Sequence, residues 1–139
     1  MCERDNSANN CIYEILKTIL VLQKEASIGE ECCLDTCDKK CLGCTPSVCF
    51  FNTRPITLYT CGCCNTQLQI PISKNPTETT TSNVFRIEKL DNNCATFRVL
   101  VPTVEDDIVT YTATNSFFTI NLDCICVLKC LADTLIDSL

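Results

Sequence analysis

The chain contains no histidine, the side chain that proteins use most often as a metal ligand and as a general base near neutral pH. It has only three glycines among 139 residues, and no glycine-rich phosphate-binding loop. Its longest apolar stretch, Ile12 to Leu22, is interrupted by Glu14, Lys17 and Thr18 and is too short to span a membrane. Histidine-based chemistry, nucleotide binding through a phosphate loop and membrane insertion are therefore not expected.

An excess of positive charge is also missing, since the formal net charge is −6. An acidic chain is a poor match for nucleic acids or anionic membranes, so neither is an expected partner. The carboxylates fall mostly in predicted turns and on polar faces, and no cofactor motif accompanies them. The sequence predicts a protein that is not an enzyme and has no cofactor.

Cysteine is abundant, with 15 residues in the chain, which is typical of a scaffold held together by disulfides or by metal. The odd number leaves at least one thiol unpaired or joined to another molecule. A domain of this length can fold on a hydrophobic core alone. The cysteines therefore exceed what folding needs, which favours toughness or linkage between molecules.

Every cysteine is a candidate for a disulfide or cross-link, and sequence alone does not give their connectivity. Adjacent cysteines rarely bond to each other because the geometry strains the peptide between them, so such pairs are expected to link in two directions. Cys2 on the polar tail and Cys11 at the start of the helix are the first candidates for intermolecular bonds. The full set is Cys2, Cys11, Cys32, Cys33, Cys37, Cys41, Cys44, Cys49, Cys61, Cys63, Cys64, Cys94, Cys124, Cys126 and Cys130.

Two alternatives to disulfides remain open for these thiols. Cys41 and Cys44 form the spacing of a zinc knuckle near Cys32 and Cys33, and the hairpin segment at 61–64 supplies further thiols, Cys61, Cys63 and Cys64. Four of these could hold a tetrahedral zinc ion, although the second knuckle of a usual site is missing. Such a site would make the chain a zinc-dependent interaction module. Some cysteines could instead be inert buried thiols.

The organisation predicted along the chain is a flexible N-terminal arm at 1–10 followed by a single cysteine-rich domain at 11–139. Apolar residues at helical spacing predict an amphipathic helix at about 11–26. A cysteine-rich loop follows at 30–49, and a β-domain covers 55–131.

Alternation of apolar and polar residues predicts six or more strands in the β-domain. The first two are expected to form a hairpin that ends near Pro71, which has no N–H to donate, before a polar surface loop at 73–83. Asp91–Asn93 forms the turn of a second hairpin, strands follow at 109–113 and 118–126, and a short helical turn lies at 132–136. The predicted fold is mainly β, an antiparallel β-sandwich or jelly-roll-like domain with one N-terminal amphipathic helix.

Five segments have a distinctive sequence: CTPSVC at 44–49, ITLY at 56–59, VFRIEKL at 84–90, CATFRVL at 94–100 and INLDCICVLKCL at 120–131. Together they resemble the bacterial spore coat and exosporium family that includes spore coat proteins Y and Z and exosporium protein Y. The paired cysteines of the last segment are the most specific element. The resemblance extends from the N-terminal helix to the C-terminus.

The resemblance implies a structural protein of the spore surface, in the exosporium or outer coat, made in the mother cell cytoplasm without a signal peptide. Such proteins self-assemble and are hardened by disulfides, so the expected partners are further copies, in a homo-oligomer or lattice, and other spore coat or exosporium proteins. Departures from the family pattern at 76–81 and 104–116 favour a role in linking layers or anchoring surface appendages. Open sheet edges near Pro71 or in the last strand are expected to accept a neighbour's N-terminal arm.

Overall fold

The computed structural model describes residues 11–29, 51–62, 66–137 and 139. Within these residues one helix, α1 (Cys11–Gly29), precedes seven strands and a short 3₁₀ turn, Leu122–Cys124, that separates the last two strands. The strands are β1 (Ile56–Thr60), β2 (Ile70–Pro71), β3 (Thr81–Ser82), β4 (Val84–Asp91), β5 (Cys94–Glu105), β6 (Ile108–Asn121) and β7 (Ile125–Cys130).

Five strands form one antiparallel sheet in the order β6-β5-β4-β1-β7, while β2 and β3 form a separate two-stranded ribbon. The outer strands β6 and β7 are separated along the chain only by the 3₁₀ turn. So short a connection reaches between the two edges only if the sheet curls. Leu122 N donates to Asn93 O at 2.8 Å and Cys61 N to Cys124 O at 2.9 Å, which ties the turn to β5 on one side and to β1 on the other.

Helix α1 covers one face of this sheet. Its inward side chains recur every three or four residues, the period of an α-helix, and are buried: Ile12, Leu16, Ile19 and Gln23. The first three belong to the main hydrophobic core with residues of β1, β4 and β5. Burial of each large aliphatic side chain contributes about 1.5–3 kcal/mol, so packing on the sheet stabilises the helix.

Gln23 is the polar member of this face. Its Nε2 donates to Ile87 O at 2.9 Å, and its Oε1 accepts from Arg54 N at 3.2 Å. The amide therefore connects the helix both to β4 and to the segment that leads into β1. Because a buried amide is costly without partners, these bonds fix the position of the helix along the sheet.

Three phenylalanines from neighbouring strands fill the centre of the core. Ring centroids lie 4.8 Å apart for Phe85 and Phe118, 5.3 Å for Phe97 and Phe118, and 6.4 Å for Phe85 and Phe97. These are favourable aromatic separations. Phe118 thereby anchors the outer strand β6 to the body of the domain.

Two tight turns close the long hairpins. The turn after β4 contains Asn92 with φ 51°, and the turn after β5 contains Asp106 and Asp107 with φ 50° and 64°. Asparagine and aspartate are the residues other than glycine that adopt this left-handed conformation most readily. Short polar side chains therefore set both turns.

The predicted fold class is confirmed: the described chain is mainly antiparallel β with one N-terminal helix. The helix begins at Cys11 as expected and continues to Gly29, and the hairpin through Asp91–Asn93 is present. Strand β2 ends at Pro71. The domain boundaries stay a prediction, and the predicted arm at 1–10 and loop at 30–49 lie outside the described residues.

Three local predictions differ from the structure in detail. The expected first hairpin is present but short: the bridge between Tyr59 and Gln67 is flanked by backbone hydrogen bonds from Thr60 N to Thr66 O and from Leu68 N to Leu58 O, and beyond it β2 pairs with β3. Residues 109–113 and 118–121, predicted in two strands, lie in one strand, β6, and the rest of the predicted strand at 118–126 is the 3₁₀ turn and the start of β7. The predicted helical turn at 132–136 is absent from the described chain: Thr134 forms a bridge with Thr53.

Candidate cross-linking site

Six of the fifteen cysteines lie in the described part of the chain: Cys11, Cys61, Cys94, Cys124, Cys126 and Cys130. They are at the start of α1, at the end of β1, at the start of β5, and in and after the 3₁₀ turn. The other nine, which include Cys2 and all the thiols considered for zinc except Cys61, lie outside it.

Cys61 and Cys126 form a disulfide with a Cα–Cα distance of 5.0 Å, across 65 residues of sequence. It joins the end of β1 to β7, where the strand register shifts between Tyr59 and Thr60. Cys61 Sγ also lies 3.7 Å from Asp123 O. The bond therefore secures the outer strand β7 beside the 3₁₀ turn.

A side-chain network holds that turn. Asn121 Oδ1 accepts from Asp123 N at 2.9 Å and from Asn93 Nδ2 at 2.9 Å, and Asn93 Nδ2 also donates to Asp123 Oδ2 at 2.8 Å. An asparagine that accepts from the backbone two residues later is a common cap for a short helical turn. These contacts hold the 3₁₀ turn, which contains Cys124, against the turn that precedes Cys94.

Cys94 is exposed and is not in a disulfide. It opens β5 directly after the turn that contains Asn92 and Asn93, and it is paired with Asn121 of β6. A thiol on a well-ordered strand end, with solvent access, can meet a neighbouring molecule without any rearrangement of the fold.

Cys130 is also exposed and outside any disulfide. It is the last residue of β7, opposite Ile56. Close by, Arg54 and Asp133 form a two-pronged ion pair, with Nε–Oδ1 at 2.6 Å and Nη2–Oδ2 at 2.9 Å. This pair fastens the chain on both sides of Cys130: the segment before β1 and the segment after β7.

The ion pair changes the acidity of its members. The hydrogen bond from Arg54 holds the pKa of Asp133 below its usual value, against the smaller opposing effect of partial burial. The pKa of Arg54 is raised, mainly by the hydrogen bond to Asp133, with smaller Coulombic contributions from Asp133 and Cys130. The thiol of Cys130 therefore lies within electrostatic reach of the guanidinium.

Cys11, the third exposed cysteine outside a disulfide, begins α1. It precedes Gln23, the residue that bonds to β4, by twelve positions, which is about 18 Å along a helix. Cys11 therefore lies far from the Gln23 end of the helix.

Among the residues that the structure describes, no three Cys, Asp or Glu side chains are grouped so that they could hold a metal ion. Of the helices in this part of the chain, none is long and apolar enough to cross a membrane.

Residues 1–112 match the family of spore coat protein Z. The match covers most of the chain. The chain belongs to the spore coat protein Z family. No curated protein and no solved structure gives a significant match.

Membership of the spore coat protein Z family assigns the chain a structural role at the spore surface and makes other coat proteins its expected partners. The family resemblance stated from the sequence is thereby confirmed. The match ends at 112, so β7 and the disulfide partner Cys126 lie beyond it.

Sequence reasoning did not identify the partner of Cys61 or the separation of the exposed thiols. The distance between Cys61 and Cys126 along the chain hides their proximity, which arises only because β7 returns to pair with β1.

Proposed function

We propose that this coat protein assembles with copies of itself in the outer layer of the spore, and that surface disulfides then cross-link the copies. Its role is mechanical, without catalysis. Two thiols from neighbouring molecules form one disulfide, and their two protons and two electrons pass to dioxygen.

The observation that carries the proposal is the division of five of the six described cysteines into two groups, with half-buried Cys124 in neither. Cys61 and Cys126 are used inside the domain, whereas Cys11, Cys94 and Cys130 are exposed and outside any disulfide. A molecule with one external thiol gives only dimers, while three allow a branched network. The protein has the valency that a cross-linked layer requires.

The positions of the exposed thiols support bonds between molecules. Cys94 lies opposite Asp91 at one end of β4, and Cys130 lies in line with Phe85 near the other end, through Ile56. Six residues of strand separate these ends, roughly 20 Å, whereas a disulfide needs Cα atoms within about 7 Å. Cys94 and Cys130 therefore cannot pair within one copy.

A cross-linking assay tests this role. The full-length protein is oxidised in air and run on denaturing gels with and without reductant, beside a variant in which Cys11, Cys94 and Cys130 are serine. We expect a ladder of covalent oligomers that reductant abolishes, and a loss of most of that ladder in the triple variant. Electron microscopy of the oxidised protein should show extended assemblies that loosen on reduction.

The matched control is the double variant Cys61→Ser/Cys126→Ser, which keeps all three surface thiols. Provided that its circular dichroism is that of a folded protein, it should form the ladder. Monomers in the oxidised wild-type protein, or an unchanged ladder in the triple variant, would contradict the proposal.

A further inference from the structure

Strand β6 is a long outer strand with an unusual composition. Its 14 residues, IVTYTATNSFFTIN, include no charged residue, no proline and no glycine. Among the described residues it pairs on one side only, with β5. Natural outer strands are usually shortened, charged or interrupted by proline, because an open row of backbone N–H and C=O groups invites pairing with another chain.

Part of this edge is already occupied. The register of β5 with β6 shifts between Arg98 and Leu100, so that 114–116 bulge out of the ladder. Within the bulge, Ser116 Oγ donates to Pro71 O at 2.7 Å, which brings the β2–β3 ribbon against this part of the strand. The open section of the edge is therefore the first five residues of β6, 108–112.

Residues 108–110 of the open section belong to a hairpin arm, defined here as residues 102–110, in which every residue is exposed. Val104 and Ile108 are each 64% exposed and Val109 is 44% exposed. A two-stranded hairpin with apolar side chains in water on both faces is only marginally stable by itself. Further pairing would both satisfy its backbone and cover these side chains.

The turn of the arm shows which backbone groups face outward. In a hairpin closed by a two-residue turn, here Asp106–Asp107, the flanking residues exchange both hydrogen bonds, and bonded and non-bonded pairs then alternate. Ile108 and Thr110 therefore bond to β5. The N–H groups of Val109 and Tyr111 point away from β5, toward any added strand.

We infer that the open section of β6 pairs antiparallel with the same section of β6 in a second copy, about a two-fold axis, to join two five-stranded sheets into one. Electrostatics favours a second copy of the chain as the partner and an antiparallel orientation of the two strands. The uncharged strand places no like charges opposite each other, whereas the acidic turn Glu105–Asp107 would meet its counterpart in a parallel pair. Antiparallel pairing about Thr110 separates the two turns by roughly 20–25 Å, beyond the screening length of about 8 Å at physiological salt.

This interface rests on the proposed assembly, since it names a non-covalent contact that brings copies together before thiols react. It involves no cysteine, because β6 contains none. Its test therefore uses the full-length protein in reductant, with circular dichroism to verify the fold, and is separate from the cross-linking assay. Cross-links in the oxidised protein without a dimer in reductant would overturn the interface alone. A dimer in reductant without cross-links after oxidation would overturn only the proposed cross-linking.

The first experiment compares Val109→Pro with Val109→Thr by sedimentation equilibrium. Proline removes an outward N–H and leaves the bonds of β6 to β5 in place, whereas threonine keeps the N–H and the β-branched shape. We expect a reversible dimer in the wild-type protein. Its dissociation constant should rise at least about tenfold with proline and change by no more than about threefold with threonine. A monomer at all concentrations, or a dimer equally strong with proline, would overturn the inference.

A second measurement covers the case in which Val109→Pro does not fold. Hydrogen exchange of the wild-type protein is measured at low and high protein concentration. The amide hydrogens of Val109 and Tyr111 should exchange more slowly as the dimer forms. The amides of Ile108 and Thr110, which already bond to β5, serve as internal controls and should change little. Exchange at Val109 and Tyr111 that does not depend on concentration, or a dimer lost only when residues 1–10 are deleted, would show that another segment forms the contact.

Discussion

The two outer strands of the same sheet, β6 and β7, are built in opposite ways. Strand β7 has six residues, contains Lys129, and is joined to its neighbour β1 by the Cys61–Cys126 disulfide. Strand β6 has 14 residues and no charge. One edge carries the protections that prevent strand addition, and the other lacks them.

This difference matters for assembly because an interface that uses one edge and its own copy closes as a pair, while pairing of β6 with β7 would continue without end. A closed pair leaves larger structures to be built by other contacts. In the proposed assembly, the exposed thiols of Cys11, Cys94 and Cys130 are such contacts. The proposal thus separates a contact that pairs copies from thiols that connect pairs.

The largest expected effect is a loss of stability when a side chain in the hydrophobic core between the two edges is truncated. Phe97 is fully buried and packs on Phe85 and Phe118. Phe97→Ala should lower the free energy of unfolding by about 3–5 kcal/mol, measured by urea denaturation. Phe117 of β6 is 43% exposed beneath the guanidinium of Arg98, and Phe117→Ala should cost only about 1 kcal/mol or less. Equal losses would contradict the assignment of the core.

The second effect is the loss of the bond that secures β7. Cys126→Ser should lower the free energy of unfolding by about 2–4 kcal/mol under oxidising conditions, because a long loop is no longer closed in the unfolded chain. In strong reductant the wild-type protein and the variant should be nearly equal. Cys94→Ser is the control for a surface cysteine and should change stability by about 0.5 kcal/mol or less. A similar loss in both variants would show that the disulfide contributes little.

The third prediction compares the two edges directly by adding the same charge to each. Val109 on β6 and Val127 on β7 are 44% and 42% exposed. In reductant, Val109→Lys should raise the dissociation constant of the dimer at least about tenfold, and high salt should partly reverse this effect. Val127→Lys should leave the dissociation constant unchanged. The measurement is sedimentation equilibrium at two salt concentrations. A stronger effect on β7 would reverse the assignment of the open edge.

The smallest effect concerns the ion pair beside β7. Asp133→Asn removes the partner of Arg54 and should cost about 0.5–1 kcal/mol near neutral pH, since both side chains are partly exposed. The pKa of Asp133 is lower in the folded than in the unfolded state. Its contribution is therefore present above the unfolded pKa and disappears as the pH falls through the folded pKa.

Urea denaturation at neutral pH and in acid tests this pH dependence. The two proteins should differ at neutral pH and converge in acid. Asp137→Asn, on the same C-terminal segment, is the control and should have little effect at either pH. A difference that persists in strong acid would rule out the ion pair as the cause.

Much of the fold could be predicted from alternation and turn chemistry. The β4–β5 hairpin followed from buried Phe85 and Ile87, their counterparts on β5, and the Asp91–Asn93 turn. Strand β6 was divided wrongly because Asn115 and Ser116 look like a break. In the structure a bulge accommodates them, and Ser116 gains a partner in Pro71.

The site was less predictable because it depends on contacts between distant segments. Cys61 and Cys126 meet only after β7 returns to β1, and no local pattern records that pairing. The change from strand to 3₁₀ turn at Leu122 depends on the bonds among Asn93, Asn121 and Asp123. The number of cysteines indicated cross-linking, but which of them are exposed and how far apart they lie could be seen only in the folded structure.

The Cys61–Cys126 bond also turns the intervening chain into a covalent ring. The exposed loop at 74–80 lies within that ring, and such polar loops are where proteases cut most readily. A single cut there opens the ring but leaves both fragments attached, so the molecule keeps its mass until a reductant is added. A protein in a protective layer can therefore be cut at this exposed loop without being released.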